Sequence, residues 1–303
     1  MKTELIKKIK RIVGKDLIQL FYRSLFFLSD ENYVKLIYRL RMGRRLNLSE
    51  PEAFTEKLQW LKVNDHNPMY TRLADKLSMR DYVADMIGEG HTVPLLGVWN
   101  DFESIDFNSL PSSFVLKTTH DSGSYVICRE KSNLDYNRAK KKIEKSLKTN
   151  YYKVTREWQY KDIERKVIAE VLLEDDGESL TDYKFFCFNG KPLFMYIEKE
   201  SDKHPLQAIF DMDFNPLPFT MEDEKQREEI RKPECFEGMM EYAAKLSSSI
   251  PFLRVDMYVA NGVVYIGELT FYHYGGFISF NPPSWDKKIG DQLDISYLIE
   301  EKR

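Results

Sequence analysis

Apolar residues over the first 62 positions recur at helical spacing with few strand signals, and Ser49-Glu50-Pro51 interrupts them. Residues 65–89 again read as helix, with Asp75-Lys76 leading into Leu77, Tyr82, Val83 and Met86. The pattern then changes to short β-rich runs between polar turns. Phe114-Val115-Leu116 and Tyr125-Val126-Ile127-Cys128 bracket a small polar loop, His120-Asp121-Ser122-Gly123-Ser124. A lysine-rich helix is predicted from Tyr136 to Lys148, its charges forming a solvated face. Strands follow at Val167-Ile168-Ala169, Tyr183 to Phe188 and Leu193 to Ile197, the last two joined by an Asn189-Gly190 turn. Residues 222–249 read as helix, and Arg254 to Phe271 as two long strands. No internal repeat or low-complexity segment occurs, so the prediction is an α+β fold with a helical N-terminal extension.

At 303 residues the chain allows two domains or one large unit with subdomains, and 43 % hydrophobic content supports a real core. The net charge of −3 conceals an uneven distribution. Residues 1–45 hold twelve Lys/Arg against four Asp/Glu, a balance of +8, which leaves −11 for the remainder. Cys128, Cys187 and Cys235 are far apart and form no C-x-x-C or Cys/His cluster, which disfavours disulfides or zinc and fits a reducing cytoplasm. The apolar run Leu17 to Leu28 is interrupted by Gln19 and Arg23 and is too short to span a bilayer. A basic amphipathic segment of this kind either lies on an anionic membrane or caps its own domain. Phe21, Phe26 and Phe27 read as core or interface residues. Nothing resembles a basic stripe with repeated exposed aromatics, so no nucleic-acid partner is expected.

The sharpest segment is Arg254-Val255-Asp256-Met257-Tyr258-Val259 followed, after Asn261-Gly262, by Val263 to Thr270. Asp256 and Glu268 are acids inside otherwise apolar strands, which is costly unless a cation pairs with them. Parity gives a test. A three-residue loop, Ala260 to Gly262, or a bulge would place Arg254, Asp256, Glu268 and Thr270 on one sheet face, with Arg254 opposite Glu268 and Asp256 diagonal. A two-residue Asn-Gly turn alone would put the acids on opposite faces. Carboxylates on adjacent strands suit Mg²⁺; the alternative is an ion pair between Arg254 and either acid.

Lys117 ends an apolar strand just before the His120–Ser124 loop, a plausible phosphate cradle. Asp182-Tyr183-Lys184 opens another strand. Several lysines, an arginine and two carboxylates at strand ends form an inventory for a nucleoside triphosphate with magnesium. No G-x-x-x-x-G-K-[ST], G-x-G-x-x-G or kinase catalytic loop is present.

The order of Asp75-Lys76, Phe114 to Lys117, Ile168-Ala169-Glu170, Asp182-Tyr183-Lys184, Arg254-x-Asp256 and Glu268-x-Thr270 resembles the ATP-grasp enzymes. Thr55-Glu56-Lys57-Leu58-Gln59-Trp60, Arg156-Glu157-Trp158-Gln159-Tyr160, Asp182 to Gly190 and Gly267 to Phe271 are similar to the TupA-like, teichuronopeptide-biosynthesis branch, over roughly residues 50–290. The resemblance implies two α+β subdomains clamping ATP with Mg²⁺. The basic helical extension would then occupy residues 1–62 and the catalytic body 63–303, divided into a nucleotide-clamping part (113–172) and a metal-binding part (173–303). It further implies that Lys76 and Lys117 hold phosphates under the loop of His120, Ser122, Gly123 and Ser124. Glu170 and the backbone of Val171 and Leu172 would meet adenine, and Glu178 or Asp182 the ribose. Lys184 would reach the terminal phosphates, Arg254 would steady the reacting oxygens, and Asp256, Glu268 and Thr270 would hold the metal. Two departures stand out: Thr270 replaces the usual Asn, and Asp121 sits where glycine is commoner, a repulsive carboxylate unless it turns outward.

The implied activity is an ATP-dependent carboxylate–amine ligase that forms an amide in capsular or other surface-polysaccharide biosynthesis. Its substrates would be a glycan or a nucleotide- or lipid-linked sugar bearing a uronic acid, and an amino acid or amine. A sugar phosphotransferase, or a non-catalytic membrane-associated glycan-assembly partner, are the alternatives. His273 and Tyr274-Gly275-Gly276 either line the acceptor site or form a turn that needs glycine. The expected location is the cytoplasm, either free or peripheral on the inner face of its membrane through residues 1–45.

Overall fold

Helix α1 (Asp30–Met42) starts where the Ser29 hydroxyl accepts the Asn32 N–H at 3.3 Å, and ends at Gly43 in the left-handed conformation. Its buried stripe of Tyr33, Val34, Ile37 and Tyr38 packs against Phe277, far away in sequence. The structure, a computed structural model, describes residues 22, 24–121, 123–174, 180–199, 206–221 and 230–302. The basic residues between 1 and 21, Ser122 and Glu178 lie outside the described residues. Phe26 and Phe27 do not join the core as expected: each is 70 % exposed.

Helix α2 (Phe54–Asn64) is capped by Glu56, whose carboxylate accepts the N–H groups of Glu52 and Ala53, both at 3.2 Å. Phe54 packs among Phe188, Phe252 and Phe280, with ring centroids 5.0–6.3 Å apart. The boundary expected at residue 62 therefore falls inside a helix that belongs to the main core. Helices α3 (Met69–Ala74) and α4 (Met79–Ile87) lead into the smaller sheet.

That sheet contains β1 (Leu95–Trp99), β2 (Phe114–Thr118), β3 (Tyr125–Cys128) and, later, β4 (Val167–Val171), in the order β1-β4-β2-β3 with every pairing antiparallel. Helix α5 (Tyr136–Lys148) coincides with the lysine-rich prediction. It buries Ala139, Ile143 and Ser146 against the sheet and leaves most of its lysines in solvent. Short helix α6 (Tyr151–Thr155) follows. The second sheet has the order β10-β9-β5-β6-β7, from β5 (Thr181–Phe188), β6 (Lys191–Lys199), β7 (Leu206–Asp211), β9 (Phe252–Ala260) and β10 (Val263–Thr270). A small pair, β8 (Thr220–Met221) with β11 (Phe280–Asn281), lies apart from it. Helix α7 (Phe236–Ser247) lies within the helix expected over 222–249, of which 230–235 are not helical and 222–229 lie outside the described residues. Helices α8 (Trp285–Gly290) and α9 (Ser296–Glu301) close the chain.

The larger sheet has two unlike faces. Tyr183, Phe185, Cys187, Leu253, Val255 and Met257 share one face, and α7 covers it; Phe185 meets Phe236 at 6.0 Å. The other face carries Asp182 opposite both Glu198 and Tyr258, Lys184 opposite both Tyr196 and Asp256, and Arg254 opposite Phe186. Burying this polar lattice is tolerable only because its charges pair with one another.

The β9–β10 hairpin turns on two residues, Asn261-Gly262, since Ala260 pairs with Val263. On its own that register would separate Asp256 from Glu268. A bulge at Gly267, between Ile266 and Glu268, restores the common face. The register is not the one expected from sequence: Glu268 lies opposite Asp256, and Thr270 opposite Arg254. Glycine at the bulge is required by crowding, because a Cβ there would sit 2.4 Å from Cε2 of Tyr258.

Candidate active site

On the larger sheet, Arg254 grips Asp256 through two bonds, Nε to Oδ1 at 2.6 Å and Nη2 to Oδ2 at 2.5 Å. Both residues are buried, so this fork offsets much of the desolvation of each. Burial pushes the Asp256 carboxyl up from its ordinary value, and the guanidinium opposes that push. Arg254 Nη1 also donates to His273 Nδ1. Burial and the arginine's charge hold His273 well below the usual imidazole range. The ring is therefore neutral and carries its proton on Nε2, which has no hydrogen-bond partner among the described residues. Lys184 bridges Glu198 at 2.5 Å and Asp182 at 3.0 Å, and their charges hold its ammonium above its ordinary value despite burial.

Glu268 makes no ion pair with any described residue, and the buried Thr270 hydroxyl has no hydrogen-bond partner. Both line a cavity of about 390 Å³ together with Arg254. Asp256 is outside that wall, behind the arginine. The orphaned hydroxyl and free carboxylate on adjacent strands fit a hard cation that completes its shell with water and phosphate oxygens. Asp256 retains lone pairs beyond those given to Arg254. Among the described residues no group of three His, Cys, Asp or Glu is arranged to hold a metal by itself.

The smaller sheet contributes cations. Lys117 lies 2.6 Å and Arg80 3.5 Å from opposite oxygens of the buried Glu170. Arg80, on α4, escaped the sequence reading because nothing local links it to the strand. Lys76 donates to the Asp121 carbonyl, so it braces the polar loop. Asp121 turns inward rather than outward: its carboxylate accepts from Thr118 at 2.6 Å and from Ser146 at 2.5 Å. This removes the expected repulsion toward a phosphate. His120 is buried, with Nε2 3.2 Å from the Ser146 carbonyl, and burial lowers its pKa; it is a loop strut rather than an exposed phosphate donor. Gly123 has φ +84° and Ser124 is half-buried. The Val171 N–H donates to the Pro94 carbonyl at 3.0 Å and is not free for a base edge, while Leu172 lies half-buried just past the strand.

The two polar faces converge at Tyr258. The charge of Asp182 first, then burial, then Asp256, Glu268 and Glu170 hold its phenol well above its ordinary value. Glu170 belongs to the smaller sheet and the other acids to the larger, so the tyrosine marks the seam between them. The groove along β3 and α5 is larger, at about 540 Å³, but it lies on the outer side of the small sheet, away from these charges.

The short motifs noted in the sequence have structural explanations here. Gln59 donates to the carbonyls of Gly275 and Gly276 at 3.0 and 2.9 Å, and Lys62 donates to that of Gly275. They fix the turn His273–Gly276, where Tyr274, Gly275 and Gly276 all have positive φ. The turn needs glycine at two of its positions, and Tyr274 and Gly275 line the cavity. Glu157 and Tyr160, from the second motif, line the same cavity.

A search of curated proteins finds no match for this chain. Among solved structures, D-alanine–D-alanine ligase from Bacillus anthracis complexed with ATP aligns at 16 % identity, over 78 % of this chain and 70 % of that one, with a TM-score of 0.42. The ATP-grasp ligase PsnB complexed with minimal precursor, Mg and ADP aligns at 11 % identity, over 100 % of this chain and 75 % of that one, also at 0.42. The D-cycloserine synthetase DcsG aligns at 15 % identity over 75 % and 72 %, at 0.36. Superpositions this loose carry no residue or substrate to this chain. The sequence profile of the TupA-like ATP-grasp proteins, by contrast, matches residues 56–294, which takes in both sheets and every charged group just described. The chain belongs to the TupA-like ATP-grasp family.

Proposed function

We propose that this protein is an ATP- and Mg²⁺-dependent ligase that activates a carboxylate as an acyl phosphate and joins it to an amine. The observation that carries this reading is the pairing of unlike faces. Lys117 and Arg80 stand on one side of the seam; Arg254, Glu268 and Thr270 stand on the other. A triphosphate with its metal needs that division between cations and hard oxygen ligands. Bound Mg²⁺ would neutralise charge developing on the transferred phosphoryl group. Glu268 and Thr270 would hold it, with Asp256 assisting while it fixes Arg254. Arg254, clamped by Asp256 and His273, would be aimed rigidly at the reacting oxygens. Lys117 would release Glu170 to meet a phosphate, and Lys184 would shift from Glu198 toward the terminal phosphoryl oxygens. A carboxylate oxygen attacks the γ-phosphorus and ADP leaves. The neutral amine nitrogen then attacks the acyl carbon, phosphate departs with the C–O electron pair, and the proton shed by the nitrogen ends on that phosphate. No side-chain nucleophile is required.

The carboxylate is assigned to a uronic acid of a surface-polysaccharide precursor, following the family. The exposed Phe26 and Phe27 beside the basic N-terminal residues support docking on an anionic membrane. No helix among the described residues is long and apolar enough to cross a membrane. Removing residues 1–21 should release the protein from phosphatidylserine-containing vesicles, and unchanged sedimentation would refute the docking. Because α1 packs into the body, cutting at residue 45 would disturb the fold as well. The ligase reading is tested by thermal unfolding with Mg-ATP. Protection that needs both magnesium and Lys117, together with ADP and free phosphate release on adding uronic acid and amine, is expected. Phosphate retained on a sugar would indicate a kinase, and absent protection would sink the nucleotide site.

A further inference from the structure

Arg254, Glu268 and Thr270 form only one side of the cavity beside Arg254, and its other walls are specialised too. One wall is α1, with Tyr33 and Arg41; another is the segment that carries Tyr151, Glu157 and Tyr160; a third is the turn bearing Tyr274. Several contacts lock the first two together. The Tyr33 hydroxyl donates to the Val154 carbonyl at 2.5 Å, and Arg156 pairs with Asp30 at 2.9 Å. The N-terminal helix is thus part of the site. At about 390 Å³ the cavity lies within the range of small-molecule pockets, roughly 300–1,000 Å³.

Its charged groups make few direct pairings. Glu157 is buried, accepts a hydrogen bond from Gln159 Nε2 at 3.5 Å and makes no ion pair with any described residue, although Lys62 attracts it from beneath the turn. Glu268, on the metal side, likewise makes no ion pair with any described residue. Arg41, half-buried with its guanidinium 4.7 Å from the Phe277 ring centre, meets no described carboxylate. The Thr270 hydroxyl is buried, unpartnered and on the cavity wall. A carboxyl group within a cage of tyrosine rings recognises an ammonium group, and a guanidinium with no carboxylate partner recognises a carboxylate.

Resting on the ligase reading above, we propose that this cavity is the amine-substrate pocket and that its ligand is an amino acid. Its ammonium lies against Glu157 within the tyrosine cage, beside the Glu268 and Thr270 wall that would hold the metal, and its carboxylate is held by Arg41. This places the nitrogen at the Arg254 end, where the acyl carbon is presented, and leaves the uronic acid to approach from outside this cavity. It also explains why α1 is built into the enzyme: the helix supplies the carboxylate grip.

The test is saturation-transfer NMR and calorimetry on the full chain without nucleotide, using each of the twenty common L-amino acids in turn. At least one should bind saturably, and its decarboxylated amine should bind at least tenfold more weakly. Arg41→Ala should weaken the amino acid about tenfold and leave the decarboxylated amine unchanged. Glu157→Gln should weaken both. Mg-ATP protection, measured separately, should survive in each variant. No binding by any of the twenty, or an Arg41→Ala variant that binds as wild type does, overturns the assignment. Amino-acid binding without ATP protection would instead overturn only the nucleotide reading.

Discussion

The two sheets bury charge in opposite ways. On the smaller sheet a single acid, Glu170, draws two cations from different elements, Lys117 and Arg80. On the larger sheet acids outnumber cations: Asp182 and Glu198 share Lys184, Asp256 takes Arg254, and Glu268 pairs with no described residue. A cation surplus opposite an acid surplus is stable only if most charges on each side pair internally, as they do. It also leaves one side able to take phosphate oxygens and the other a metal. The contrast extends to individual acids. Asp256 is fully clamped, whereas Glu268, directly opposite it, has no ion-pair partner.

The largest effect should come from Gly267→Val. A Cβ there would sit 2.4 Å from Cε2 of Tyr258 in the bulge, and regular pairing of residue 267 with Asp256 would instead turn Glu268 and Thr270 toward the face that α7 covers, burying an unpaired carboxylate. A loss of about 4 kcal/mol or more in denaturant unfolding is expected. A Gly267→Val variant of near wild-type stability would show that glycine does not set the bulge. Next, the two acids should separate. Asp256→Asn strands Arg254 and should cost about 3–5 kcal/mol as well as turnover. Glu268→Gln should abolish turnover with a stability change under about 1 kcal/mol. Full activity in both would make the pair purely structural.

On the smaller sheet, Lys117→Ala should raise the apparent Kd for Mg-ATP about tenfold, or 1.4 kcal/mol. Unchanged affinity would remove that sheet from the nucleotide site. The smallest effect concerns pH. Burial pushes Glu157 up to about 7, with Lys62 opposing and Glu268, Tyr151 and Tyr160 also facing it. The folded protein keeps this proton where the unfolded chain releases it. The contribution is therefore fully present below the ordinary glutamate value and lost as pH rises through about 7. Glu157→Gln should raise the Tm at pH 8 by roughly 3 °C and leave it unchanged near pH 4.5. An equal shift at both pH values would mean the residue does not titrate as described.

Much of this was readable from residue order. The lysine helix at Tyr136–Lys148 and the strand at Tyr125–Cys128 have the bounds expected, because amphipathic period and turn residues set them locally. The strands β1 and β7 were missed: one is a short run ending at Trp99, and the other adds itself to the edge of an existing sheet. The parity of Arg254, Asp256, Glu268 and Thr270 foretold a shared face and the need for a bulge. It could not choose the register, since two arrangements satisfy the same parity and only the crowding of Tyr258 on Gly267 locates the extra residue.

Residue types and their order along the chain determined the family, the α+β class and the acids and cations of the seam. Tertiary structure decided which charges are spent on each other and which stay free. Asp121 and His120 turned inward, Lys184 found Glu198, and Glu157 came to a cavity shared with a helix more than a hundred residues earlier. The physical reason is range. Periodicity and turn chemistry act over a few residues, whereas pairing a buried charge depends on whatever the whole fold brings within a few ångströms of it.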